Sequence, residues 1–246
     1  MGKKYSVEIV IPIYNEEEEL TGNITKLYSF LNKKLRNYKW HITIADNASI
    51  DNSLQIAKKL CKKLERISVL HLSQKGRGRA VKKAWRESKA DILVYMDVDL
   101  STDLNSLPSL ITSLVSNYDI AIGSRLLPGS KVIGRPIKRE ILSRVYNILI
   151  KFFFAVHFSD AQCGFKAVTK KVISQLIPSI EDNAWFFDSE LLIVGEKLGY
   201  KIYEEPVIWI DNPGSTVRVL KTVYGDLAGL WRLFWDRPWL NLRRKI

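Results

Sequence analysis

A chain of 246 residues, 46% hydrophobic and 26% charged, has the length and composition of a folded domain with a sizeable core, which excludes disordered and fibrous classes. Its 38 basic against 26 acidic residues leave a net charge of +12, which favours an anionic partner: nucleic acid, an anionic membrane surface or a phosphate-bearing substrate. Two cysteines, Cys61 and Cys163, are too few for a disulfide framework, and no Cys/His spacing suggests zinc.

The first half alternates strands and helices. YSVEIVIPI reads as a strand; NEEEEL opens a helix, with Asn15 as its expected cap and Lys33, Lys34 and Arg36 at its negative end. WHITIAD is a second strand, IDNSLQIAKKLCKKLE a helix that Asp51 or Asn52 could cap, and RISVLHL a third strand. GRGRAVKKAWRESK is loop then helix, DILVYMD a fourth strand, LNSLPSLITSLV a helix and YDIAIGSR a fifth strand. Such alternation predicts an α/β fold with a doubly wound, mostly parallel sheet. Right-handed crossovers then bring the strand ends 12–16, 46–51, 73–79, 97–101 and 123–126 to a single edge. The second half is less regular: a basic and apolar stretch 135–158, a compact segment DAQCGFKAVTKK, a helix around WFFDSELLIVGEKLGY, a strand KIYEEPVIWI and a basic aromatic tail.

The predicted edge is polar. It gathers Asn15, Glu16, Asp46, Asn47, Lys75, Arg77, Asp97, Asp99, Ser124 and Arg125, with Gly76, Gly78 and Gly123 allowing close backbone approach. Asp97 and Asp99 follow a strand apolar on both faces, and two carboxylates so close repel unless a cation joins them. Carboxylates beside Lys and Arg suit a metal-bridged diphosphate, with Mg²⁺ or Mn²⁺ sharing the acids with phosphate oxygens. Asp46, ending its own strand, is placed to bond a base or ribose. No G-x-G-x-x-G follows the first strand and no phosphate-binding G-x-x-x-x-G-K-[ST] occurs, so the expected enzyme is neither dehydrogenase nor P-loop NTPase.

IPIYNEEEEL, ADNASIDNS, QKGRGRAVKKA, MDVDL, IGSR, DAQCGFKA and WFFDSELL, in that order, resemble the family-two, inverting glycosyltransferases of the GT-A fold. Within them the chain is most similar to the polyprenyl-phosphate or dolichyl-phosphate sugar transferases, over roughly residues 5–222. The resemblance implies that Pro12, Tyr14, Glu16 and Asp46 frame the nucleobase and ribose, with Lys75 and Gly76 beside the nucleotide. It makes Asp97 and Asp99 the metal-binding acids, and it sets Arg125, after Ser124, facing the reacting phosphates. Gln162, Cys163, Gly164 and Phe165 would shape the sugar and acceptor pocket near Asp188 and Glu190, and Arg218 and Lys221 would close over the diphosphate. DAQCGFK, WFFDSELL and EEPVIW are close to the glucosyl branch, whereas MDVDL, with Leu100 and Ser101 where that branch has a glycine and a small residue, looks mannosyl. GRGRA likewise replaces a lysine-containing loop. The expected donor is UDP-glucose, then GDP-mannose.

A lipid phosphate needs no general base, because a phosphate monoester is already ionised near pH 7. The basic set Arg125, Arg135, Arg139, Lys166, Arg218 and Lys221 suits two anionic substrates; for a hydroxyl acceptor, Glu190 or Asp188 would be the base. A nucleotidyltransferase would carry a glycine-rich loop where this chain has YNEE, and a nucleic-acid-binding module would not end buried strands in acids. No nucleic-acid partner is therefore expected. Residues 216–246 read as a basic aromatic extension of a catalytic domain 1–215. Leu220, Val223, Tyr224, Leu227, Leu230, Trp231, Phe234 and Trp235 recur at helical spacing ahead of Arg243–Lys245, as in an interfacial helix. The stretch 148–158 is too short to span a bilayer, and MGKKYSVEIVIPIYNEE lacks the apolar core of a secretion signal. The expected location is cytoplasmic, peripheral on the inner face of the membrane.

Overall fold

Residues 4–211 and 219–242 are described by the computed structural model, the side chains of 219–221 excepted. The chain runs β1 (Ser6–Ile13), α1 (Leu20–Lys34), β2 (Lys39–Asn47), α2 (Ser53–Lys63), β3 (Ile67–Leu72), α3 (Arg77–Glu87), β4 (Ile92–Met96), α4 (Leu107–Val115) and β5 (Ile120–Ser124). It continues through β6 (Lys131–Ile133), α5 (Ile137–Phe154), β7 (Phe165–Thr169), α6 (Lys170–Gln175), α7 (Phe187–Lys197), β8 (Ile202–Pro206), β9 (Ile208–Ile210), α8 (Val219–Asp236) and α9 (Pro238–Leu242). A seven-stranded sheet has the order β3-β2-β1-β4-β7-β5-β8. Winding runs outward from β1 to β3 and then resumes beyond β1 at β4, so the crevice between β1 and β4 is a topological switch point, where open α/β sheets bind ligands.

Helices cover both faces. Leu20, Ile24, Leu27 and Leu31 recur at helical spacing on α1 and join Leu107, Leu110 and Ile111 of α4 on one face. On the other face, Trp85 of α3, Ile150 and Phe154 of α5 and Leu191–Val194 of α7 pack together. Each fully buried Leu or Ile contributes on the order of 1.5–3 kcal/mol of transfer free energy.

The structure corrects the sequence reading at four places. The segment after DAQCG forms β7, which inserts antiparallel between β4 and β5, so those two strands are not neighbours. KIYEEPVIWI splits at Val207: β8 pairs with β5, and β9 leaves to pair with β6 in a separate two-stranded sheet. Asn15 is not a helix cap. It adopts φ 56°, its carbonyl side chain accepts from Ile50 N, and α1 begins only at Leu20. The fourth correction concerns α8, whose aromatic residues do not share one face. Leu230 and Leu233 are buried and Phe234 is partly buried against the core, while Val223, Tyr224, Leu227, Trp231 and Trp235 stay exposed.

Candidate active site

The loops after β1 and β2 are laced together. Asn15 N donates to Ser49 Oγ at 3.0 Å, Glu16 N to Ser53 Oγ at 2.7 Å and Asn52 N to Glu17 Oε2 at 3.0 Å. Pro12, paired with Ala45 in the sheet, and Tyr14 lead into this corner. Asp46 is fully buried; its Oδ2 lies 2.6 Å from His71 Nδ1, so a β3 side chain orients the carboxylate. Asn47 Oδ1 accepts from Gly76 N at 2.5 Å, which ties β2 to the start of α3. Lys75 Nζ sits 3.2 Å above the Tyr14 ring, a cation–π contact at the mouth of the crevice.

Across the switch point, Asp97 and Asp99 leave the end of β4. Asp99 accepts from Ser101 N at 3.0 Å and Ser101 Oγ at 2.7 Å. Asp97 is gripped from two sides. Arg77 donates to its Oδ1 from Nε at 3.2 Å and Nη2 at 2.7 Å, and Gly164 lies so close that an added Cβ would come within 2.6 Å of its Cγ. Burial raises the Asp97 pKa, opposed by Arg77 and reinforced by Asp99. Glu16 is pushed up to about 7, first by burial and then by the charges of Glu19, Asp99 and Asp97. These carboxylates form a zone of concentrated negative charge.

Beneath it lies a buried charge network that the sequence reading named only in part. Arg77 also donates from Nη1 to Asp188 Oδ2 at 2.5 Å, and its guanidinium lies 5.0 Å from the Tyr95 ring and 4.9 Å from the Trp185 ring. Lys166, fully buried on β7, reaches Asp188 Oδ1 at 2.8 Å and the carbonyls of Ala161 and Cys163. Tyr95 donates its hydroxyl to Asp188 as well. Burial would raise Asp188, but Lys166 and Arg77 overcome it and hold the carboxyl below its usual range. Glu190 is equally engaged: it accepts from Glu181 N, from Asp182 N at 2.7 Å and from Arg232 Nη2 at 2.8 Å.

Ser124 and Arg125 stand at the end of β5. Ser124 Oγ is 2.6 Å from Ser159 Oγ. Arg125 forms a bidentate pair with Asp160, from Nε at 2.7 Å and Nη2 at 2.9 Å. Burial would raise Asp160, but the Arg125 charge and hydrogen bonds hold it down to about 2. Arg125 and Arg135 each lie 5.5 Å from the Trp209 ring, and Arg139 bonds Asp211 at 2.9 Å. Arg135 Nε is buried without a hydrogen-bond partner while its Nη1 donates to Glu140 Oε2 at 3.2 Å; burial, followed by the Arg125 charge, lowers the Arg135 pKa. Gln162 Nε2 donates to Asp226 Oδ2 of α8 at 2.8 Å. Arg218 lies outside the described residues, as do the Lys221 side chain and Arg243–Lys245.

The structure thus brings Pro12, Tyr14, Glu16, Asp46, Lys75 and Gly76 to the β1 side of the crevice and Asp97, Asp99 and Gly164 to the β4 side, with Gln162 in the loop before β7 and Ser124 and Arg125 beyond β7 at the end of β5. Arg77 was expected at the polar edge without a named role, and Asp160 and Asp226 were given none. GRGR pointed toward Arg77 and DAQCGFKA contains Asp160, whereas nothing local marks Asp226. A groove of about 690 Å³ lies away from this cluster at the amino ends of β1–β3.

Residues 8–177 match the Glycosyl transferase family 2 model. The chain belongs to that family. It is 33% identical over 242 residues to the glycosyltransferase AglD of Haloferax volcanii, a match covering 98% of this chain and 38% of that protein. It is 29% identical over 228 residues to the dolichyl-phosphate beta-glucosyltransferase of Saccharomyces cerevisiae, covering 85% of this chain and 68% of the relative. Among solved structures, it resembles glucosyl-3-phosphoglycerate synthase of Mycobacterium tuberculosis in complex with Mn²⁺, UDP and glucosyl-3-phosphoglycerate (TM-score 0.68, 15% identity, 94% of this chain and 80% of that one). Mannosyl-3-phosphoglycerate synthase of Rubrobacter xylanophilus is similar at TM-score 0.69 and 16% identity, over 93% of this chain and 74% of that one. The family-two chain described here therefore has the GT-A fold, and its β1/β4 crevice is that fold's switch point.

Proposed function

We propose that this glycosyltransferase moves a hexose from a nucleotide-diphosphate sugar, UDP-glucose ahead of GDP-mannose, to a polyprenyl or dolichyl phosphate with inversion. The observation that carries the acceptor choice is the state of Asp188 and Glu190. Both carboxylates are buried and fully engaged by Arg77, Lys166, Arg232 and backbone amides, so neither is free to take a proton from a sugar hydroxyl. A phosphate acceptor arrives ionised and requires no base. Arg125 and Arg135, each near the Trp209 ring and paired with Asp160 and Glu140, hold guanidinium charge beyond the end of β5.

Asp97 and Asp99 supply the hard oxygen donors that fit a divalent cation shared with a diphosphate, Mg²⁺ or Mn²⁺. Among the described residues no cluster of three or more His, Cys, Asp or Glu offers an all-protein cage, which suits a cation completed by substrate oxygens. Such an ion would neutralise the departing diphosphate. The chain's own residues do the remaining work. Arg77 fixes the Asp97 carboxylate, and Lys75 over Tyr14 presents positive charge at the mouth of the crevice. Asp46, oriented by His71, is set to hold the base or ribose.

The lipid acceptor explains an otherwise costly surface. On α5, Ile137, Ile141, Leu142, Val145, Ile148, Phe152 and Phe153 are exposed; on α8, Tyr224, Leu227, Trp231 and Trp235 are. The two helices meet where Phe153 touches Phe234, with ring centroids 5.9 Å apart. Exposed Lys138, Arg144, Lys151 and Arg237 lie on or directly beside these helices. Apolar side chains beside basic ones suit in-plane seating on an anionic bilayer, peripheral and on the cytoplasmic face. Among the described residues no helix is long and apolar enough to cross a membrane. The test is acceptor chemistry: labelled sugar should pass to a prenyl phosphate and not to the matching prenol. Transfer to the prenol would overturn the phosphate reading.

A further inference from the structure

The two helices with apolar outer faces each send a polar side chain inward to consecutive residues of the same loop. Asn147 of α5, nearly fully buried, accepts from Ala161 N through Oδ1 at 2.8 Å. Asp226 of α8 is 3% exposed and accepts from Gln162 Nε2 at 2.8 Å. Two residues on, Gly164 abuts the Asp97 carboxylate, and Gly164 O accepts from Asp97 N at 3.2 Å. Segment 160–165 is therefore strung between the outer helices and the acid that faces the diphosphate.

The seating of α8 is also specific. Gly229 lies against Phe186 so closely that any Cβ would collide with the ring, and Arg232 bonds both Glu190 and Glu181. The helix cannot shift without moving the start of α7. Nothing in a merely amphipathic helix calls for a buried carboxylate. Burial first, then the charges of Asp188 and Asp182, push Asp226 up to about 7, so its retention there opposes stability and calls for a role.

We propose that Asn147 and Asp226 are positioning residues that transmit the seating of α5 and α8 on a membrane to the 160–165 loop, and through Gly164 to Asp97, so that turnover rises when the outer face is occupied. This rests on the lipid-phosphate reading above. The loop carries a tether to each of these helices and abuts Asp97, so the proposed coupling runs through contiguous contacts.

The experiment uses the whole protein with a short, water-soluble prenyl phosphate, which reaches the site without a bilayer, in the presence and absence of anionic vesicles. Wild type should turn over at least about fivefold faster with vesicles, the lower end of ordinary coupling between sites. Asp226→Ala and Asn147→Ala should pellet with vesicles as wild type does and keep the donor KM, yet lose the stimulation. Asp226→Asn, whose amide oxygen can still accept from Gln162, should retain it. Wild type that binds vesicles without stimulation, or alanine variants stimulated like wild type, would overturn the inference. Early melting of both alanine variants would also overturn it, reducing the contacts to fold support. Absence of any transfer to prenyl phosphate by wild type would instead sink the lipid-phosphate reading itself.

Discussion

Replacing Gly164 by alanine probes the grip on Asp97 with a single methyl group. Gly164 is absent from the left-handed positions, so alanine meets no backbone penalty and its cost is purely steric. The new Cβ would overlap Asp97 Oδ2 outright and lie 2.6 Å from its Cγ, where ordinary contact begins at 3.4 Å, so the carboxylate must retreat by well over ~0.8 Å. Retreat is opposed, because Arg77 Nη2 also lies 2.8 Å from the same Cβ position and holds the carboxylate from the other side. Overpacking of this kind costs about 1–3 kcal/mol. In a domain of this size that lowers Tm by roughly 2–12 °C. The effect on chemistry should be larger in proportion, since displacing a reacting group by about 1 Å can cost a hundredfold. Thermal melts and steady-state transfer rates measure both. A variant that melts within a degree of wild type and turns over normally would refute the view that the Asp97 position is set by Arg77 and the 160–165 loop.

EDTA should abolish transfer, and Asp99→Asn should lower turnover by at least about a hundredfold, the scale of losing one electrostatic stabiliser; full activity in EDTA would remove the cation from the account. Asp160, held at about 2 against an ordinary value of 3.8, contributes about 2 kcal/mol that is present above pH ~4 and lost as the pH falls through 2. Asp160→Asn should therefore remove that acid-side slope in denaturant titrations while costing about 3–5 kcal/mol at neutral pH, because Arg125 is left buried and unpaired. Serine at Tyr224, Trp231 and Trp235 together should cut vesicle pelleting and transfer to long-chain acceptor while sparing short-chain transfer without vesicles and the melting temperature; an equal loss on both acceptors with a lowered Tm would make that face part of the packing. Phe234 is left in place there because its ring packs against Phe153 and the core.

The alternation of apolar strands with helical patterns made the first half legible, since each element's periodicity matches the face it buries. Glycines and acids at the strand ends marked the crevice for the same reason: polar residues ending buried strands have few structural explanations. The second half resisted because its order depends on pairing rather than pattern. FKAVT is five residues long and carries a lysine at its second position, whose burial is made tolerable by the Asp188 carboxylate, two loop carbonyls and the Tyr95 hydroxyl. The Arg125–Asp160 and Gln162–Asp226 partnerships span 35 and 64 residues, beyond any local signal. In α8 the apolar spacing was read correctly as helical, but two apolar faces, one packed and one exposed, look in sequence like a single stripe.

The central claim, hexose transfer to a lipid phosphate, is tested most directly by incubating the purified protein with polyprenyl phosphate and a panel of labelled sugar nucleotides, with and without Mg²⁺ or Mn²⁺. The account predicts a lipid-phosphate-linked glucose formed from UDP-glucose only when the divalent cation is present, with GDP-mannose a weaker donor. Label found only in a hydroxyl-linked product, or lipid-linked sugar formed equally well without the cation, would contradict it.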